Sequence, residues 1–97
     1  MSDHLYFIQS DVTGSIKIGR SNNPKRRLGD LQTGNPHKIK LISVIEGKGH
    51  LEKKLHESLK DFKLRLEWFD YKCVGSIPAV IYEMIDDPTQ FDDWWEK

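Results

Sequence analysis

A phenol, an ammonium, a guanidinium and a carboxylate are side-chain types that could do chemistry on an anionic ester. Tyr6 lies in His4-Leu5-Tyr6-Phe7-Ile8, and eleven positions later comes Lys17, opening Lys17-Ile18-Gly19-Arg20. Arg27 follows eight positions after Gly19, and Glu52 opens Glu52-Lys53-Lys54-Leu55-His56. A phenol can orient or deprotonate a water, although its ordinary pKa near ~10 makes it a weak base at neutral pH. A nearby ammonium from Lys17 favours the phenolate and is expected to lower that value. The Arg27 guanidinium offers a planar fork for a phosphate, and Glu52 offers a hard oxygen ligand. His56, one helical turn beyond Glu52, is a further candidate for contact with phosphate, leaving group or a bound water.

The elements that must position these groups can be read from periodicity. Leu5 and Phe7 alternate with Tyr6 and Ile8, and Ile16 and Ile18 alternate with Lys17 and Gly19. The turn formers Asp11-Val12-Thr13-Gly14 lie between them, so the two runs read as a β-hairpin. If Leu5 and Phe7 pair with Ile18 and Ile16, Tyr6 stands opposite Lys17 on the other face. A register shift of two moves that pair onto a diagonal and keeps it on one face. Asn22-Asn23-Pro24 is a helix start, and Lys25 to Thr33 reads as helix with Leu28 and Leu31 inward. Arg27 precedes that stripe and can point back to the hairpin.

His37 to Glu46 is expected to be a third strand, with Ile39, Leu41 and Ser43 on one face. His50 to Asp61 reads as a second helix, because Leu51, Leu55, Leu59 and Phe62 form an apolar stripe. Glu67 to Lys72 is a short aromatic strand or turn, and Ile77 to Ile85 a third amphipathic helix. The fold class that follows is α+β: a small three-stranded antiparallel sheet flanked by helices. We expect one domain over 1–97, with a core of about 4–85 and an acidic, aromatic tail at 86–97.

Composition narrows the classes. Ninety-seven residues allow one modest core. No apolar run approaches the roughly 20 residues of a membrane span. Cys73 is the single cysteine, which excludes an internal disulfide and suggests a reducing, cytoplasmic setting. The net charge of zero hides an asymmetry. Residues 1–66 carry 13 Lys or Arg against 7 Asp or Glu, a balance of +6, and residues 67–97 carry 2 against 8, a balance of −6. A basic body suits phosphate binding. Arg20, Lys25, Arg26, Lys38 and Lys40 are the candidate nucleic-acid contacts.

In its ordered motifs the chain resembles the GIY-YIG nucleases over roughly residues 4–71. His4-Leu5-Tyr6 stands for the first motif, with the tyrosine kept and the Gly-Ile part replaced. Lys17-Ile18-Gly19 stands for the second, with Lys in place of its tyrosine. Glu52-x-x-Leu55-His56 and Glu67-Trp68-Phe69 are similar to the small phage and bacterial branch. Glu67 falls in the region where many members carry an asparagine. The resemblance implies a metal-dependent endonuclease acting on DNA, with Tyr6, Lys17, Arg27, His56 and Glu52 catalytic. It also implies Mg²⁺ or Mn²⁺ held by Glu52. Taken singly, each of these residues also has a duller place, as a strand aromatic, a surface cation or an exposed helix carboxylate. Two other classes therefore stay open: a non-catalytic nucleic-acid-binding module, and a protein-interaction domain that docks through Trp94-Trp95.

Overall fold

A computed structural model describes residues 3–84. Ile85 and the acidic tail at 86–97, with its Trp94-Trp95 pair, lie outside the described residues. The chain runs β1 (His4–Ser10), β2 (Ile16–Ser21), α1 (Pro24–Thr33), β3 (Ile39–Ile45), α2 (Glu52–Ser58), β4 (Lys63–Arg65), β5 (Trp68–Phe69) and α3 (Ile77–Met84). Single turns of 3₁₀ helix flank α2 at Gly49–Leu51 and Lys60–Phe62. The sheet has five antiparallel strands in the order β3-β1-β2-β5-β4, not three. β5, two residues long, falls in the Glu67–Lys72 segment expected to be a short aromatic strand or turn but not counted in the sheet, and β4, three residues that are all exposed, is not among the expected strands. Neither carries enough alternation to register as a period.

Both faces of the sheet are covered, so β1 is apolar on both sides. Leu5, Phe7, Ile16, Ile18 and Phe69 pack on the stripe Leu51, Leu55 and Leu59 of the α2 region and on Ile77 and Ile81 of α3. On the reverse face Tyr6, Ile8 and Ile39 pack under Leu28 and Leu31 of α1, with Trp68 and Val44 beside them. Burial of those leucines, rather than helix propensity, holds so short a helix in place. Its start is set locally: the Asn23 side chain accepts from Arg26 N, and Pro24 occupies the first turn.

Two details of register depart from expectation. Tyr6 is opposite Gly19 and Lys17 is opposite Ile8, so Tyr6 and Lys17 are diagonal neighbours on one face rather than direct partners. The turn decides this. Ser10 Oγ accepts from Val12 N and Thr13 N, and Ser10 N donates to Ser15 O at 3.0 Å. The hairpin therefore closes at Ser10 and Ser15. In β3 a bulge at Ile42 breaks the pairing with β1, since Phe7 faces Ser43 and Ile8 faces Leu41. Ile39 and Leu41 stay under α1, and Ser43 passes to the opposite face.

Candidate active site

The site forms where the later half of β2 runs past the end of the short β5. There the start of α2 approaches from one side of the sheet and the first turn of α1 from the other. Tyr6 is 1 % exposed, and its ring lies across the backbone of Gly19. A Cβ at position 19 would stand 2.4 Å from the Tyr6 hydroxyl and 2.5 Å from Cζ. The glycine of Lys17-Ile18-Gly19 is thus the floor on which the phenol rests. Burial pushes the Tyr6 phenol above its ordinary value of 10.0. The Arg27 guanidinium pulls the other way through a hydrogen bond and its charge, and Glu67 and Glu52 add to the upward push. The expectation that Lys17 lowers this value is overturned. The net shift is upward, and the cation that pulls against it is Arg27.

Lys17 has a different partner. Its side chain is 8 % exposed, and Nζ donates to Glu67 Oε1 at 2.7 Å. Glu67 is held there by its own backbone, since its carbonyl accepts from Ile18 N at 3.2 Å. Glu52 opens α2, and burial followed by the nearby Glu67 carboxylate raises its carboxyl above the ordinary 4.5. His56, Arg20 and Lys17 partly offset this. Glu52, Glu67, Lys17, Arg20 and Tyr6 therefore form one electrostatic cluster, with Arg27 acting on the phenol. Their sources are three strands or turns and two helices.

A family model for the T5orf172 domain matches residues 3–89. The chain belongs to the T5orf172 domain family. The family is nuclease-associated. No curated protein and no solved structure matches the chain.

The remaining candidates take distinct places in this T5orf172 domain. His56 sits one turn along α2 from Glu52, and its Nε2–H donates to Ile18 O at 2.7 Å. Its ring meets Phe69 edge-on at 5.0 Å between centroids. That nitrogen is committed to pinning α2 onto β2, which leaves Nδ1 for any contact with a substrate. Arg20 is half exposed, and its Nε donates to Asp3 Oδ2 at 3.0 Å. Lys25 and Arg26 are exposed on the first turn of α1, beside Arg27. The structure does not bring Lys40 into this group. It pairs with Gln9 in the ladder, on the sheet face opposite Tyr6, and lies 3.5 Å from Asp11 Oδ1. Lys38 is exposed just before β3, where its carbonyl accepts from Asp11 N.

Among the described residues no group of three or more His, Cys, Asp or Glu side chains is disposed to hold a metal. What is present is Glu52, whose carboxyl is raised by burial and by the nearby Glu67 carboxylate. A hard cation of the Mg²⁺ type takes one or two carboxylates and completes its shell with water and phosphate, so Glu52 and Glu67 are the residues that would hold one.

Sequence reasoning missed two positioning residues. The sequence puts Glu67 in a short aromatic strand or turn, in the region of a family asparagine, with no role of its own, and it is the counter-charge of Lys17. His4 replaces a motif glycine, and its Nδ1 accepts from Gly47 N at 3.0 Å. This bond fixes the turn that leads into α2. Gly49 then donates to Asp3 O at 2.8 Å, at a spot where a Cβ would come within 2.7 Å of Asp3 Cβ. Both contacts are long-range in sequence and leave no periodic signal. Cys73, by contrast, is a core thiol, buried and pushed up to about 11.

Proposed function

We propose that this T5orf172 domain is a GIY-YIG-type, metal-dependent endonuclease that hydrolyses phosphodiester bonds in DNA. The observations that carry the reading are the Lys17–Glu67 ion pair at 2.7 Å, the Tyr6 ring lying on Gly19 in the same motif, and the electrostatic influence of Arg27, Glu67 and Glu52 on that one phenol. A strand aromatic, a surface cation and a helix carboxylate with ordinary structural duties have no reason to meet there.

In this reading Arg27 takes the scissile phosphate as a fork, with Lys25 and Arg26 on the flanking backbone. Tyr6 orients the attacking water, and the phenolate that Arg27 stabilises takes its proton as pH rises toward the raised value of the phenol. Lys17, aimed by Glu67, adds positive charge where the phosphoryl oxygens gain negative charge. Glu52 is the anchor for Mg²⁺ or Mn²⁺, with Glu67 beside it. Such an ion, when bound, supplies Lewis-acid stabilisation of the phosphoryl and leaving oxygens. His56 holds α2, and hence Glu52, against β2.

The test is direct. The protein is incubated with plasmid, linear duplex, single-stranded and branched DNA, each with Mg²⁺, Mn²⁺ or EDTA. Cleavage of at least one substrate with metal, lost in EDTA and in Arg27→Ala, is the expected result. A protein that binds DNA but cuts none of these substrates overturns the reading. The near-complete burial of Tyr6 favours a second one, a non-catalytic nucleic-acid-binding module in which Tyr6 is core, and that outcome would select it.

A further inference from the structure

A groove of about 410 Å³ opens beside the cluster, and none of the roles above uses it. Its lining includes Trp68, Arg65, His37, Asn35, Ser10 and Ser15. Trp68 is the direct ladder partner of Lys17, so the groove begins one residue pair from the charged cluster. One wall is the loop between α1 and β3, and Gln32 holds it rigid. Gln32 Nε2 donates to Asn35 O at 3.3 Å and to His37 O at 3.0 Å, while Oε1 accepts from Ile39 N at 2.9 Å. The other wall is the turn between β4 and β5. There Leu66 is held at φ 54°, a left-handed conformation that costs a leucine energy, and yet it is 73 % exposed. Among the described residues neither Arg65 nor the His37 ring has a hydrogen-bond or ion-pair partner.

We infer that this groove binds one unstacked nucleobase of a single-stranded DNA segment next to the scissile phosphate. An indole for the base face, with a guanidinium and an imidazole that have no partner among the described residues and the Asn35 NH₂ for the base edge, is the chemistry that unpaired bases attract. In a continuous duplex the base faces are stacked and the edges paired, so they are not available. The groove therefore makes single-stranded or branched DNA the preferred substrate. This inference rests on the endonuclease reading for the place of the phosphate, but not for the binding itself.

The experiment uses the full chain in EDTA. Affinities for a fluorescent single-stranded oligonucleotide and for a duplex of equal length are measured for wild type, Arg65→Ala and His37→Ala. Both side chains are on the surface, so the variants keep the core. Each variant is expected to lose single-strand affinity by roughly tenfold, the scale of one lost base contact, with duplex affinity unchanged. A loss of phosphate contact alone would weaken both substrates alike, so equal losses overturn the inference. In parallel, single strands carrying 5-iodouracil are irradiated, and the crosslinked peptide is identified by mass spectrometry. Attachment at Trp68 or His37 is expected, and attachment only elsewhere overturns the inference. Cleavage with Mg²⁺ is scored separately. If no DNA is cut but the selective binding losses appear, the base site stands and the endonuclease reading fails. If DNA is cut and the variants keep wild-type selectivity for single strands, the base site fails alone.

Discussion

Lys17 Nζ lies 2.7 Å from Glu67 Oε1, across fifty residues of sequence, and the two ends of this pair are unequally exposed at 8 % and 43 %. The inequality gives an asymmetric mutational outcome. Removing Glu67 strands a buried ammonium, whereas removing Lys17 leaves a carboxylate that water can reach. Glu67→Ala is expected to cost on the order of 2 kcal/mol, reduced from a fully buried pair by the exposure of Glu67. Lys17→Met, which keeps the apolar stem, should stay within about 1 kcal/mol of wild type. Urea midpoints measure both. A larger loss for Lys17→Met would mean that the pair is not what holds Lys17.

The contact between Tyr6 and Gly19 makes Gly19→Ala a targeted lesion. The new methyl would fall 2.4 Å from the hydroxyl of a ring that is 1 % exposed and has nowhere to swing. A cost of about 1–3 kcal/mol is expected, as for overpacking in a core. Tyr6→Phe in the same chain removes the nearest clash and should recover part of that cost. Additive losses in the double-mutant cycle would show that the two residues do not press on each other.

The Tyr6 phenol should titrate above an ordinary tyrosine, since burial is the largest influence on it. The ultraviolet difference spectrum of wild type against Tyr6→Phe isolates its ionisation from the other tyrosines. Arg27→Met removes the group that pulls the value down and should raise it further. Glu67→Gln and Glu52→Gln remove negative neighbours and should lower it. Under the endonuclease reading, the rising limb of cleavage moves in the same direction as the phenol in Glu67→Gln. A titration that ignores Arg27 would remove that residue from the site.

Glu52 links activity to stability. Its carboxyl is raised by burial and by Glu67, so the folded state holds its proton more tightly than the unfolded chain does. The stabilisation from this group is present below the unfolded value near 4.5 and is lost as pH rises through the folded value. At pH 7 the ionised Glu52 thus costs stability. Glu52→Gln should raise Tm at pH 7, and the gain should vanish below about pH 4, where the wild-type carboxyl is protonated in both states. The same variant should abolish metal-dependent cleavage and keep most DNA affinity. A variant less stable than wild type at pH 7 would mean that the Glu52 carboxylate is favourably paired.

What the sequence determined by itself was local. Alternation in Leu5–Ile8 and Ile16–Gly19 made the hairpin legible, and the stripe Leu51-Leu55-Leu59 made the second helix legible. Asn23-Pro24 marked the start of the first helix to within a residue. Parity alone put Tyr6 and Lys17 on one face, and that held through a register shift of two, because side-chain direction depends only on odd and even. Three matters needed the tertiary structure. Strands of two and three residues are too short to carry a period, so only the ladder reveals the five-stranded sheet. The bulge at Ile42 answers to pairing with β1 and has no local signature. The electrostatics of the cluster reversed, because the shift in Tyr6 depends on how completely α1 covers it and on which cation reaches it. That cation is Arg27, since Glu67, brought in by β5 from far along the chain, holds Lys17. Burial and long-range charge are sums over the whole packed molecule, and no window of sequence contains them.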